Sequence, residues 1–200
     1  MHVETPSDIF FSPAVKAIQA ERGSRDGYAK MAARGGFRTE IDADLAAWLE
    51  SRDSAYLGTA SADGQPYIQH RGGPPGFLTV LDRHRFAFAD YKGNQQFIST
   101  GNLAENDRAT MFLMDYANQR RIKIWGSATT TRDPAIIAQL MPEGYKARPE
   151  QAIIFTVEVW DVNCPQHIPR KLAVADVATL VSDLQARIAD LEAALATKNS

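Results

Sequence analysis

The sequence predicts a mainly β chain, a barrel with flanking helices, from three observations. Seven short runs, at Ala55–Ala60, Tyr67–His70, Phe77–Leu81, Arg85–Ala89, Ala109–Met114, Arg121–Thr129 and Ala152–Trp160, are apolar or alternate in polarity with a period of two. An Asp63-Gly64 pair sits between the first two of them, the strongest short-range hairpin signal. Helical signals are confined to the two ends of the chain and to two short connections. At least seven strands broken by short helices read as a barrel.

In order along the chain, Ser12-Pro13 supplies an N-cap and a first-turn proline, and the apolar residues Ala14, Val15, Ala17 and Ile18 run to Gly23, which suits a short capped helix. A glycine-bearing linker follows. From Thr39, the run TEIDADLAAWLESR places Ile41, Leu45, Trp48 and Leu49 on one stripe with acidic residues in the first turn, which predicts a helix against the sheet. The turn SADGQP joins the first two strands, and both central positions are expected at positive φ. Gln95–Asn102 reads as a short helix after a Gly-Asn turn, and Asp133-Pro134 caps another through Met141. In Arg121-Ile122-Lys123-Ile124 the alternation puts two cations on one face and two isoleucines toward the core.

The tail differs in kind. From Val174, apolar residues fall at 177, 181, 184, 188, 191 and 195, three and four apart, with Arg187 at a g position and Glu192 at the next e position. This reads as a parallel homodimer zipper; the same stripe also suits a single amphipathic helix packed on its own barrel.

The 200 residues, 44% hydrophobic and 23% charged, suffice for one sizeable core. A net charge of −2 lacks the basic surplus that nucleic acid demands. No apolar run suits a signal peptide or membrane span, which gives a cytoplasmic expectation. The lone Cys164 has no disulfide partner and reads as a small buried hydrophobe. No metal-ligand spacing, nucleophile elbow or phosphate-binding glycine loop after a strand is present, so a metal is not expected and catalytic residues are not assigned.

One segment, Tyr67–Asn94, carries the chemistry: Arg71 is followed by Gly72-Gly73-Pro74-Pro75-Gly76 and, after a further strand, by Gly93-Asn94. A fixed cation and approachable main-chain N–H groups on a strand scaffold suit a phosphorylated small molecule. His70 and His84 read as exposed strand and turn residues, and Trp125 and Trp160 as core or interface aromatics.

These residues resemble the pyridoxamine 5′-phosphate oxidase-like, FMN-binding split-barrel family, in the branch with RGGPPGF after the second strand and GN after the fourth. The resemblance spans roughly residues 56–170. It implies a homodimeric split barrel with FMN at the subunit interface, a small-molecule substrate, and no nucleic-acid or membrane partner. On that basis residues 1–52 form a helical segment packing on the barrel, 53–170 the FMN-binding split barrel, and 171–200 a C-terminal helix. Gln69, His70 and Arg71 match the strand that offers an Arg to the flavin phosphate, and Gly72, Gly73, Gly76 and Phe77 the backbone nearing the cofactor. Ala89, Asp90 and Tyr91 match the strand beside the isoalloxazine edge. Gly93, Asn94 and Gln95 stand where the oxidase has phosphate-gripping cations at a helix start. Arg121 and Lys123 replace a Gln and an Arg of a later strand and face the phosphate or the pyrimidine end of the flavin. The oxidase's substrate-holding Trp and Arg-Leu-x-x-Arg run is replaced by Asp161–Arg170, in which His167 or Arg170 reaches the flavin or a second ligand across the dimer. The resemblance therefore implies an FMN-dependent oxidoreductase other than the oxidase itself. Its alternatives are a flavin carrier or sensor without turnover, and a split barrel holding haem or a deazaflavin.

Overall fold

The structure is a computed structural model that describes residues 5–162 and 164–198. The described residues fall into two compact units, 5–114 with 121–162 and 115–120 with 164–198. The strands are β1 (Ser54–Ala60), β2 (Pro66–Gly72), β3 (Thr79–Val80), β4 (Arg85–Tyr91), β5 (Arg108–Asp115), β6 (Arg120–Thr131) and β7 (Pro149–Val162). They form one sheet in the order β2-β1-β5-β6-β7-β4-β3. The pairings β1–β2, β1–β5, β3–β4, β4–β7 and β6–β7 are antiparallel.

All seven expected strands are present, with shifted ends. β2 runs on through Arg71 and Gly72, because both residues continue the ladder with Ala55 and Ser54. The Phe77–Leu81 run contributes only two strand residues. In the β1–β2 connection Gly64 has φ 90°, and Asp63 does not share the left-handed region; Gly64 N–H donates to Ser61 O instead, so the turn is wider than the two-residue form expected.

Around the sheet lie α1 (Pro13–Glu21), α2 (Arg25–Ala33), α3 (Ala43–Ser51), α4 (Ile98–Glu105) and α5 (Pro134–Gln139). Ser12 caps α1 by accepting from Val15 N–H, and Asp42 caps α3 by accepting from Leu45 N–H. The helix expected from Thr39 therefore starts four residues later. Residues before it are extended, with Arg38 bridged to Trp160. Helix α2 fills the stretch read as a linker; it buries none of its residues and so has no apolar stripe to announce it.

The core lies between α3 and the sheet. Leu45, Trp48 and Leu49 pack with Leu57, Met111, Leu113, Ile122, Ile124, Phe88 and Ile153. The Phe86 and Phe155 rings stack at 5.0 Å. Each such side chain contributes about 1.5–3 kcal/mol by burial. Trp160 is buried, its indole N–H donating to Glu40 O at 2.8 Å, and Trp125 stacks on Phe10 at 4.4 Å. The two tryptophans are thus structural aromatics.

In the second unit, α6 (Val174–Lys198) carries the heptad stripe with its apolar side chains exposed, from 42% at Val177 to 86% at Val174. Cys164 is exposed rather than buried. No helix among the described residues is long and apolar enough to cross a membrane.

Candidate functional site

Arg71 stands on β2 near the end of the sheet's edge strand, and its position is set from three other elements. Its Nη1 donates to Asp90 Oδ1 of β4 at 2.5 Å. The other Asp90 oxygen accepts from Gln151 Nε2 of β7 at 2.9 Å, and the same amide reaches Thr100 Oγ1 of α4 at 2.8 Å. Asp90 and Gln151 are register partners where the β4–β7 ladder shifts. The ion pair is nearly buried, with side chains 12% and 13% exposed.

Two donors in this wall lack partners among the described residues. Arg71 Nε and the Tyr91 hydroxyl are both buried and unbonded. A buried unmet donor costs roughly 1–3 kcal/mol, which an incoming acceptor recovers. Burial, with Tyr145 beside it, raises the Tyr91 pKa, so the phenol keeps its proton at neutral pH.

Two adjoining hollows share Gln69, Arg71, Asp90, Tyr91 and Gly93 and make one trough. One end, of about 180 Å³, is walled by His70, Gly72, Phe77, Phe88 and Ala89. The other is walled by Asn94, Gln95, Phe97, Ser99, Thr100 and Glu150. This second end is the start of α4. Phe97 at its N-cap makes no side-chain cap, so the first-turn N–H groups have no cap hydroxyl or carboxylate to satisfy them. Ser99 Oγ is tied to Gln69 Oε1 at 3.2 Å. Asn94 Oδ1 accepts from Gln96 N–H at 3.2 Å, a local turn bond, while Gln95 and Phe97 take the positive φ values of 61° and 54°. That kink delays α4 to Ile98 instead of the Gln95 start expected.

The structure thus brings together Gln69, His70, Arg71, Gly72, Phe77, Ala89, Asp90, Tyr91, Gly93, Asn94 and Gln95. Gly73 and Gly76 lie outside the trough's lining. Gly76, at φ 92°, follows Pro75 in the turn closed by Phe77 N–H on Pro74 O, and a Cβ at Gly73 would meet the Phe77 side chain at 2.7 Å. Arg121 and Lys123 do not line the trough of the single chain. Lys123 faces Asp161, its register partner, and lies 5.0 Å from the Trp125 ring centroid. Burial lowers the Lys123 pKa, against the pull of Asp161, and burial raises that of Asp161, against the pull of Lys123. His167, at φ 64°, and Arg170 belong to the second unit, where Gln119 Nε2 donates to Ile168 O and Lys171 lies over the Tyr116 ring. Ser99, Thr100 and Gln151 were not legible as site residues, since nothing local marks a Gln that reaches a carboxylate 61 positions earlier. Among the described residues no cluster of His, Cys, Asp or Glu is arranged to hold a metal ion.

The sequence pattern of pyridoxamine 5′-phosphate oxidase matches residues 41–164. The chain resembles the crystal structure of HupZ from Group A Streptococcus at 17% identity, over 66% of this chain and 99% of that one, with a TM-score of 0.51. A point-substituted form of the same HupZ aligns at 18% identity over 62% and 99%, with a TM-score of 0.50. Likeness at these identities concerns the fold, and the sheet is the split barrel expected. No curated protein matches the chain.

Proposed function

Because the chain belongs to the pyridoxamine 5′-phosphate oxidase family, we propose that it binds FMN in the Arg71 trough and works as an FMN-dependent oxidoreductase. Its substrate is a small molecule and its electron donor a nicotinamide or similar cofactor. The observation that carries this reading is the unmet donor set: a buried Arg71 Nε–H and the uncapped start of α4 border one trough.

Those groups fit a phosphate monoester. The guanidinium offers charge-assisted bonds, the α4 start offers main-chain N–H groups and the positive end of the helix dipole, and Thr100, whose oxygen accepts from Gln151, adds a hydroxyl proton. Asp90 balances and orients the Arg71 cation, and what remains for a ligand is the unpartnered Nε–H. Phe77 and Phe88 at the far end supply apolar wall that excludes water. The flavin, when bound, supplies the electron-transfer chemistry, and the chain supplies position and electrostatics. Arg121 and Lys123 enter through a homodimer with the flavin at the subunit seam. The test is spectroscopic: added FMN acquires the shifted bands of a bound flavin, and a nicotinamide donor bleaches them with steady-state turnover. Binding without turnover leaves a carrier or sensor.

The same proposal gives α6 to subunit pairing, since its apolar stripe is exposed along the whole helix. Removing residues after Arg170 lowers the sedimentation coefficient of the assembly or weakens its association. An unchanged assembly contradicts the zipper.

A further inference from the structure

Beyond the α4 start the trough does not end. A third hollow, of about 360 Å³, shares Phe97 and Glu150 with it and is lined further by Arg132, Arg148, Pro149 and Gln151. This volume lies within the range of small-ligand sites, roughly 300–1,000 Å³. Three features suit one chemistry. Arg132 and Arg148 come from different segments, and among the described residues neither joins an ion pair, so both forks are available to phosphate oxygens. Phe97 is half exposed and sits at φ 54°, a conformation costing a non-glycine residue about 1 kcal/mol or more, which holds its ring at the junction of the hollows. Glu150, between the two hollows, is an acceptor of the kind that binds the paired hydroxyls of a ribose. Two cations against one carboxylate leave a net positive hollow.

We propose that this hollow is a second subsite, which takes the adenosine diphosphate portion of a nucleotide, with phosphates on Arg132 and Arg148, ribose on Glu150 and base against Phe97. The identity of the ligand's other half rests on the flavin reading above. A nicotinamide donor seated beside bound FMN places both phosphates of its adenosine diphosphate there; flavin adenine dinucleotide, whose first phosphate is the one at Arg71, places only its adenylate phosphate there.

Calorimetric titration of the full chain with ADP tests it. The wild type binds ADP, and Arg132→Ala with Arg148→Ala weakens that binding more than tenfold while FMN affinity stays within twofold. Arg71→Ala leaves ADP binding unchanged. FAD binding more than tenfold tighter than FMN, lost in the double variant, identifies the flavin as the source. ADP binding to FMN-loaded protein, competed by a nicotinamide dinucleotide, identifies the donor. Wild-type protein that does not bind ADP, or ADP affinity unmoved by the double variant, overturns the subsite. ADP binding that depends on the two arginines in a chain that takes no FMN upholds it and removes the flavin reading alone.

Discussion

Arg71→Ala weakens FMN binding more than tenfold. A hydrogen bond to a charged group is worth roughly 1.5–3 kcal/mol, and each 1.4 kcal/mol is a factor of ten. Losing one such bond therefore gives about 10–150-fold. The variant also leaves Asp90 without its cation in a wall where both side chains are nearly buried. An uncompensated carboxylate there repels the phosphate and costs stability, roughly 3–5 kcal/mol for a buried pair broken from one side. Thermal melting and fluorescence titration are read together for this reason. Arg71→Lys keeps the charge but loses the fork that engages Asp90, so its affinity falls between the two. Wild-type affinity in a folded Arg71→Ala protein removes the residue from the phosphate site.

Gly126→Ala produces a large loss of stability through the backbone alone. Gly126 lies on β6 where its ladder with β7 shifts register, and a Cβ there would stand 1.9 Å from Thr156 O. That neighbour is main chain in the middle of the sheet, so no side-chain rotation relieves the clash and the two strands must separate locally. The expected loss is roughly 3 kcal/mol or more, at the upper end of overpacking effects. For a chain of this size it lowers Tm by about 6–12 °C. Gly101→Ala in α4 is the control, since nothing beyond the helix itself lies within 4 Å of its Cβ position, and there alanine is stabilising by about 0.5–1 kcal/mol. A Gly126→Ala melting point within 2 °C of wild type contradicts the packing described here.

Much of the fold was legible because it is written in short-range patterns. The alternation in Arg121–Ile124 placed Ile122 and Ile124 in the core, where both are buried. Ser12 and Asp133 were readable as caps, and each accepts a first-turn N–H. Helix α2 was not legible, since a surface helix containing Gly27 and no buried face has neither propensity nor periodicity in its favour. Cys164 was misread for a related reason: residue type alone favoured burial, whereas its segment leaves it exposed.

The site divides in the same way. Arg71 and the Gly93–Gln95 loop stood out by composition, and the trough joins them. What composition could not carry is the relay from Arg71 through Asp90 and Gln151 to Thr100, which depends on the β4–β7 register. Nor could it show that Gly73 and Gly76 serve the turn and the packing of Phe77. Side chains that act at a distance in sequence are set by topology, and pairing register has no local signature.

The account is tested most directly by titrating FMN into the purified 200-residue chain while following flavin fluorescence and absorbance. It predicts saturable binding with about one FMN per chain, quenched emission and structured, shifted absorption bands. Emission and absorption identical to free FMN, at protein in excess over flavin, contradict it.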